Sequence, residues 1–234
     1  MAAFRLSWAA GDTGIELDVT MTADRRIVVI HDDSVDRTTN GSGPVAGMTL
    51  AQLRRLDAGR WFGESFSGEP IPLLTDVLDE LPAGGLVNVE VKASAWRDDP
   101  HDGIEGRLLQ LVDAASLTGS VLFSSFDWRI LERLRERSPG IALGVLVDAS
   151  TGASESRRAA DALGAWSIHP PTAAIAGGTP PAYRSFSGRI YPYTVADASI
   201  ADSVLAAGAH GYFADLPFGI QVDVDPGRKS PGTY

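Results

Sequence analysis

Glu16 and Asp18 alternate with apolar residues in Gly14-Ile15-Glu16-Leu17-Asp18-Val19, and His31-Asp32-Asp33 follows shortly downstream. A β-strand sends successive side chains to opposite faces, so both carboxylates leave one face while Ile15, Leu17 and Val19 leave the other. Neighbouring acids repel each other, and a cation between them relieves the repulsion. His31 ends the apolar run Ile27-Val28-Val29-Ile30. A histidine at a strand end beside carboxylates suits proton transfer, because its pKa can be held near neutrality. Glu90 and Lys92 repeat the alternation in Val87-Asn88-Val89-Glu90-Val91-Lys92. The valines take one face; Asn88, Glu90 and Lys92 take the other, which in a parallel barrel points inward, where charges need partners. A plain Glu90–Lys92 ion pair is one reading. The other makes Glu90 a third oxygen ligand and Lys92 a phosphate contact, at the strand end where barrel enzymes keep their sites.

Weaker candidates accompany these. Ser124 and Ser125 end a strand and either hydrogen-bond a substrate or cap the next helix. His169 and Tyr193 end strands and either line a pocket mouth or pack in the core. Asp215 reads as a loop anchor, and His101 and His210 read as structural. The chain lacks a Gly-rich phosphate loop with a Lys, a dinucleotide fingerprint, a Gly-x-Ser-x-Gly elbow and a His-Glu-x-x-His pair. What remains is one hard divalent cation on carboxylates, a histidine for acid–base work and a lysine for anion charge. That combination suits hydrolysis of a phosphate ester.

Positioning such groups requires a sizeable α/β frame. The chain has 234 residues, no Cys and a formal charge of −10. Thiolate metal sites and disulfides are therefore excluded, and a metal must use oxygen or His ligands. The acidic balance argues against nucleic acid as a partner, since a phosphate-backbone binder needs a basic face. A bound cation and local basic groups can still admit a small anionic phosphodiester. No apolar run approaches the roughly 20 residues of a membrane span. The first ten residues read as an amphipathic helix with Phe4, Leu6 and Trp8, too polar for a secretory signal, so the cytoplasm is the expected compartment.

Beyond residue 70, strand and helix patterns alternate. Helices are expected over 74–81, 104–115, 128–137, 154–163 and 198–207, and strands over 86–91, 121–126, 141–147, 165–169, 189–195 and 211–215. Repeated β-then-α units imply a parallel sheet with helices outside, most simply a TIM (β/α) barrel. Three stretches break the pattern. The run 27–31 follows the first strand too closely for a parallel crossover, so it folds back as a hairpin, and seven staves remain. The stretch 37–71, with Asn40-Gly41-Ser42-Gly43-Pro44 as turn chemistry and one short helix near 50–56, reads as an inserted subdomain over a site. The stretch 170–188, rich in Pro, Gly and Ala, is expected to be loosely ordered. A single barrel domain over 1–225 and a disordered tail over 226–234 complete the expected organisation.

The motifs Gly14-Ile15-Glu16-Leu17-Asp18-Val19, Val29-Ile30-His31-Asp32-Asp33 and Asp36-Arg37-Thr38-Thr39-Asn40-Gly41 resemble the glycerophosphodiester phosphodiesterase family. Ile71-Pro72-Leu73-Leu74, Asn88-Val89-Glu90-Val91-Lys92, Ser124-Ser125-Phe126 and Tyr193-Thr194-Val195 continue in the family's order over nearly the whole chain. The resemblance implies a TIM barrel with an insertion after the His-Asp motif. It implies that Glu16, Asp18 and Glu90 bind a divalent cation, Ca²⁺ or Mg²⁺, and that His31 is one of two catalytic histidines. Lys92 would sit near the phosphate, with Ser125 and Tyr193 as further substrate contacts. The implied reaction releases glycerol 3-phosphate and an alcohol from glycerophosphodiesters. The family opens with a strand ending in His-Arg-Gly, and the sequence given shows no counterpart to it. The first strand therefore reads as missing. The alternative function is an impaired barrel that binds a phosphodiester or a cation without turnover. The family's late Trp-Thr-Val is Tyr193-Thr194-Val195 here, and the Thr before its final Asp is Ala214.

Overall fold

The computed structural model describes residues 1–12, 14–98, 101 and 103–215. Its helices are α1 (Ala2–Ala10), α2 (Leu50–Leu53), α3 (Leu74–Asp79), α4 (Ile104–Ala114), α5 (Trp128–Arg137), α6 (Ala153–Leu163), α7 (Pro181–Arg184) and α8 (Ala198–Ala206). Its strands are β1 (Gly14–Met21), β2 (Ile27–Val29), β3 (Leu86–Val91), β4 (Val121–Ser125), β5 (Ala142–Leu146), β6 (Ser167–His169) and β7 (Arg189–Ile190). The sheet order is β2-β1-β3-β4-β5-β6-β7. The short link after β1 forces β2 back antiparallel, with Val19 opposite Val29 and Met21 opposite Ile27, as its length predicts. The other strands run parallel to their neighbours. The result is a TIM-barrel-like α/β fold. Among the described residues, the pairing runs from β2 to β7 without a ladder between β7 and β1.

Each strand in the middle of this sheet is buried on both faces. Val87, Val89 and Val91 of β3 pack outward against the helices and are essentially inaccessible, while Asn88 and Glu90 face inward and are also buried. The helices answer with apolar stripes, such as Ile130, Leu131 and Leu134 on α5. Asp127 starts α5 by accepting the Arg129 N–H, and Gly164 stops α6 in the left-handed region at φ 57. Helix α1 has the expected amphipathic character, with Phe4 and Trp8 packed against the main core. No helix among the described residues is long and apolar enough to cross a membrane.

The stretch 37–71 shares a second apolar cluster with its flanks. Val35, Val45, Leu53 and Ile71 pack with Leu73 and with Val28 and Ile30 of the hairpin arm. This stretch therefore packs on the strand that leads into His31.

Three expectations need correction. Residues 189–195 form only the short β7, because Pro192 has no N–H to continue a ladder. Residues 211–215 form no strand. This segment lies beside the same proline and is tied on by Phe213 N–H to Pro192 O at 2.9 Å and Val195 N–H to Phe213 O at 2.8 Å. The seven expected staves thus become six parallel strands and one extended segment. Residues 170–188 are not loose: Ile175, Thr179, Tyr183 and Phe186 are buried, and Pro180-Pro181 opens α7. The expected tail over 226–234 and the barrel's last part over 216–225 lie outside the described residues.

Candidate active site

Parallel pairing of β1 with β3 sets Asp18 opposite Glu90 and Glu16 opposite Asn88. Alternation turns all four toward the interior. Glu16, Asp18 and Glu90 each bring a carboxylate oxygen within 4.8 Å of the others. Lys92, just past the end of β3, donates from Nζ to Asp18 Oδ1 at 3.2 Å and to Glu90 Oε1 at 3.1 Å. Both readings of Glu90 and Lys92 therefore meet in one cluster, as an ion pair beside a carboxylate triad.

The electrostatics of this cluster are strained. Glu16 lies in a recess that water reaches, yet desolvation there, with repulsion from Asp18 and Glu90, raises its pKa well above the usual carboxylate range. Desolvation and Asp18 also raise Glu90, against the pull of Lys92. Burial alone would lower Lys92; Asp18 and Glu90 overcome it and raise the pKa of the ammonium. One ammonium against three carboxylates leaves an excess of negative charge. All three acids supply hard oxygen donors, so the set fits a divalent cation of the Mg²⁺ or Ca²⁺ kind.

His31 enters from the hairpin. The Ile30 N–H donates to Asp18 O at 3.0 Å, which sets His31 one residue beyond the point where the hairpin arm meets Asp18. His31 Nδ1 lies 2.7 Å from Asp32 Oδ1. Arg37 donates to both oxygens of that carboxylate, Nε to Oδ2 at 2.7 Å and Nη2 to Oδ1 at 2.8 Å. The Arg37 hydrogen bonds, with help from His31, hold the Asp32 pKa down at about 2. Asp33 accepts a hydrogen bond from Ser94, which ties this loop to the end of β3.

The remaining candidates have structural posts. Ser125 is fully buried; its hydroxyl donates to Val91 O at 2.7 Å and accepts the Asp127 N–H at 3.1 Å. Ser124, not Ser125, shares the inward row with Glu90, and its buried Oγ has no hydrogen-bond partner among the described residues. The Tyr193 hydroxyl donates to Val147 O at 2.7 Å, and its ring meets Phe126 edge-on at 5.9 Å. Desolvation, with Asp148 and Glu90, pushes Tyr193 up to about 12, so the phenol stays protonated. His169 is fully buried, hydrogen-bonds Ser167 at 2.7 Å and packs on Phe213; burial pushes its pKa down to about 3. His210 accepts the Ile190 N–H at 3.2 Å, a structural role as expected. Asp215 has more than an anchoring position, since its charge adds to the pressure on Glu16. A cavity of about 440 Å³ framed by Arg135, Trp166 and Arg189 lies at the opposite, N-terminal ends of β5 to β7.

Two partners of the site escape a reading by strand alternation. Arg37 and Asp32 are five positions apart in an irregular loop, and only the Asp36-Arg37-Thr38-Thr39 motif marks the place.

Residues 1–218 match the Glycerophosphoryl diester phosphodiesterase family. A glycerophosphodiester phosphodiesterase from Caldanaerobacter subterraneus subsp. tengcongensis is 34% identical over 218 residues, covering 93% of this chain and 88% of that protein. Among solved structures, an Oleispira antarctica phosphodiesterase in complex with the product sn-glycerol-3-phosphate superposes with a TM-score of 0.82 at 25% identity, covering 92% of this chain and 86% of that one. A glycerophosphodiester phosphodiesterase from Agrobacterium tumefaciens gives a TM-score of 0.73 at 26% identity, covering 91% and 87%. The chain belongs to the glycerophosphoryl diester phosphodiesterase family, a family of phosphoric diester hydrolases.

Proposed function

We propose that this chain hydrolyses glycerophosphodiesters to glycerol 3-phosphate and an alcohol, with a divalent cation held by Glu16, Asp18 and Glu90. The observation that carries the reading is the convergence of three carboxylates from two strands, each within 4.8 Å of the others, at the C-terminal mouth of a parallel sheet. A cation bound there supplies Lewis-acid polarisation of the phosphoryl oxygens.

The chain's own groups do the rest. Lys92 sits among the carboxylates with its ammonium retained, so it adds positive charge where the phosphate approaches and keeps the acidic rim from repelling it. His31 carries the proton. The Asp32 carboxylate is ionised and can only accept a hydrogen bond, so the 2.7 Å contact puts the imidazole hydrogen on Nδ1 and leaves Nε2 as the basic nitrogen. Nε2 then exchanges a proton with the attacking or departing oxygen. Tyr193 and Phe126, whose rings pack edge-on, would contact the substrate's organic part. Ser125 supports the frame rather than the substrate.

Release of glycerol 3-phosphate from glycerophosphocholine tests the reading. Turnover should stop with EDTA, return with Mg²⁺ or Ca²⁺, and be lost in Glu16→Ala. Turnover that ignores both the chelator and the substitution overturns the cation reading; no turnover with either cation overturns the activity.

A further inference from the structure

The hydrogen bonds behind His31 lead away from the sheet and into the insertion. Asp32 is clasped by Arg37 through two parallel hydrogen bonds, the geometry that only a guanidinium matches to a carboxylate. The Arg37 guanidinium in turn lies over the Trp61 ring, 5.6 Å from its centroid. Trp61 is fixed by its indole N–H, which donates to Ala58 O at 3.0 Å. The loop that carries Arg37 is itself stiff. Val35 is wholly buried, Thr39 bonds back to Val35 O at 2.7 Å, and Asp36 accepts from Ser42 at 2.9 Å and from the Gly43 N–H at 3.0 Å. Asn40 then ties the loop to the insertion's far side by accepting the Asp57 N–H at 2.9 Å.

We propose that Arg37 and Asp32 are positioning residues for His31, and that the insertion over 37–71 is the frame that holds them. The inference rests on the reading of His31 as the proton-transfer group. His31 keeps 41% of its side chain accessible to water, so packing alone does not fix its ring. The Asp32 carboxylate does so from Nδ1, and Arg37 keeps that carboxylate from rotating. Trp61 limits where Arg37 can reach. The insertion thus sets the direction of Nε2 through this chain of contacts.

The test uses the full chain with Mg²⁺ and glycerophosphocholine, and compares Arg37→Lys, Arg37→Ala and Asp32→Asn with wild type. Misplacing a reacting group by about 1 Å costs roughly 100-fold in rate. Arg37→Ala and Asp32→Asn should therefore lower kcat by about 100-fold while KM stays within about twofold. Arg37→Lys, which cannot form the paired contact, should fall between them and wild type. Histidine ¹⁵N NMR supplies a reading independent of activity. The His31 signals should report the Nδ1–H tautomer in wild type and lose that preference in Asp32→Asn. Variants with unchanged kcat, or an unchanged His31 tautomer in Asp32→Asn, overturn the positioning role. Should Arg37→Ala fail to fold, Arg37→Lys and Asp32→Asn decide the matter alone. Should wild type show no turnover, the hydrolase reading fails, and the tautomer measurement still decides whether Asp32 orients His31.

Discussion

Glu16, Asp18 and Glu90 are held against their own repulsion, and that has a consequence opposite to the usual one for acidic residues. A carboxylate whose folded pKa is raised destabilises the fold once it ionises, and stability returns as pH falls through that raised value. Glu16→Gln should therefore make the cation-free protein more stable at pH 7 by about 0.5–1 kcal/mol, a figure discounted for the water that reaches Glu16, while abolishing turnover. Chemical denaturation with EDTA present checks the first half, and glycerol 3-phosphate release the second. Asp32 behaves the other way. Its pKa is depressed to about 2, so its bonds to Arg37 and His31 stabilise the fold above pH 4 and are lost as pH falls toward 2. Thermal melts should show Asp32→Asn less stable than wild type by about 1 kcal/mol at pH 6, with the gap closing by pH 2. The inward acids were legible in the sequence because strand alternation has a fixed period. The choice between Ser124 and Ser125 was not, since it depends on where β4 ends and which hydroxyl the Asp127 turn captures.

At the level of elements, the β1–β2 hairpin shows what chain length alone can establish. The link is too short for a crossover, and antiparallel pairing follows. The later elements were less legible. A proline inside an apolar run read as a strand, yet Pro192 removes one ladder donor and leaves β7 at Arg189–Ile190. The stretch 170–188 looked weak by composition, yet its few apolar side chains are buried, and burial outweighs poor local propensity. The second apolar cluster is also a tertiary fact, because Leu53 and Ile71 pack on Val28 and Ile30 from the hairpin. Leu53 is wholly buried. Leu53→Ala should cost about 2–4 kcal/mol of stability. Because the same cluster carries the strand into His31, the variant should also lose kcat at temperatures where it remains folded. Denaturant titration and steady-state kinetics on the one sample separate the two losses.

For the whole molecule, a net charge of −10 and a mouth lined by acids describe a protein that attracts cations before it attracts its anionic substrate. Binding to the folded state alone raises apparent stability by mass action. Protons and a divalent cation compete for the same three carboxylates. Mg²⁺ or Ca²⁺ should therefore raise Tm more at pH 7.5 than at pH 5, and Glu16→Gln should flatten the difference. Scanning calorimetry at both pH values reads this directly.

The most direct test is anomalous diffraction from crystals of the full chain grown with Mn²⁺, a cation of matching oxygen preference. A single strong peak at the ends of β1 and β3, with Glu16, Asp18 and Glu90 oxygens about 2.0–2.6 Å away, is the result expected. A protein that binds Mn²⁺ elsewhere, or leaves Lys92 as the sole partner of Asp18 and Glu90 at saturating metal, would contradict it.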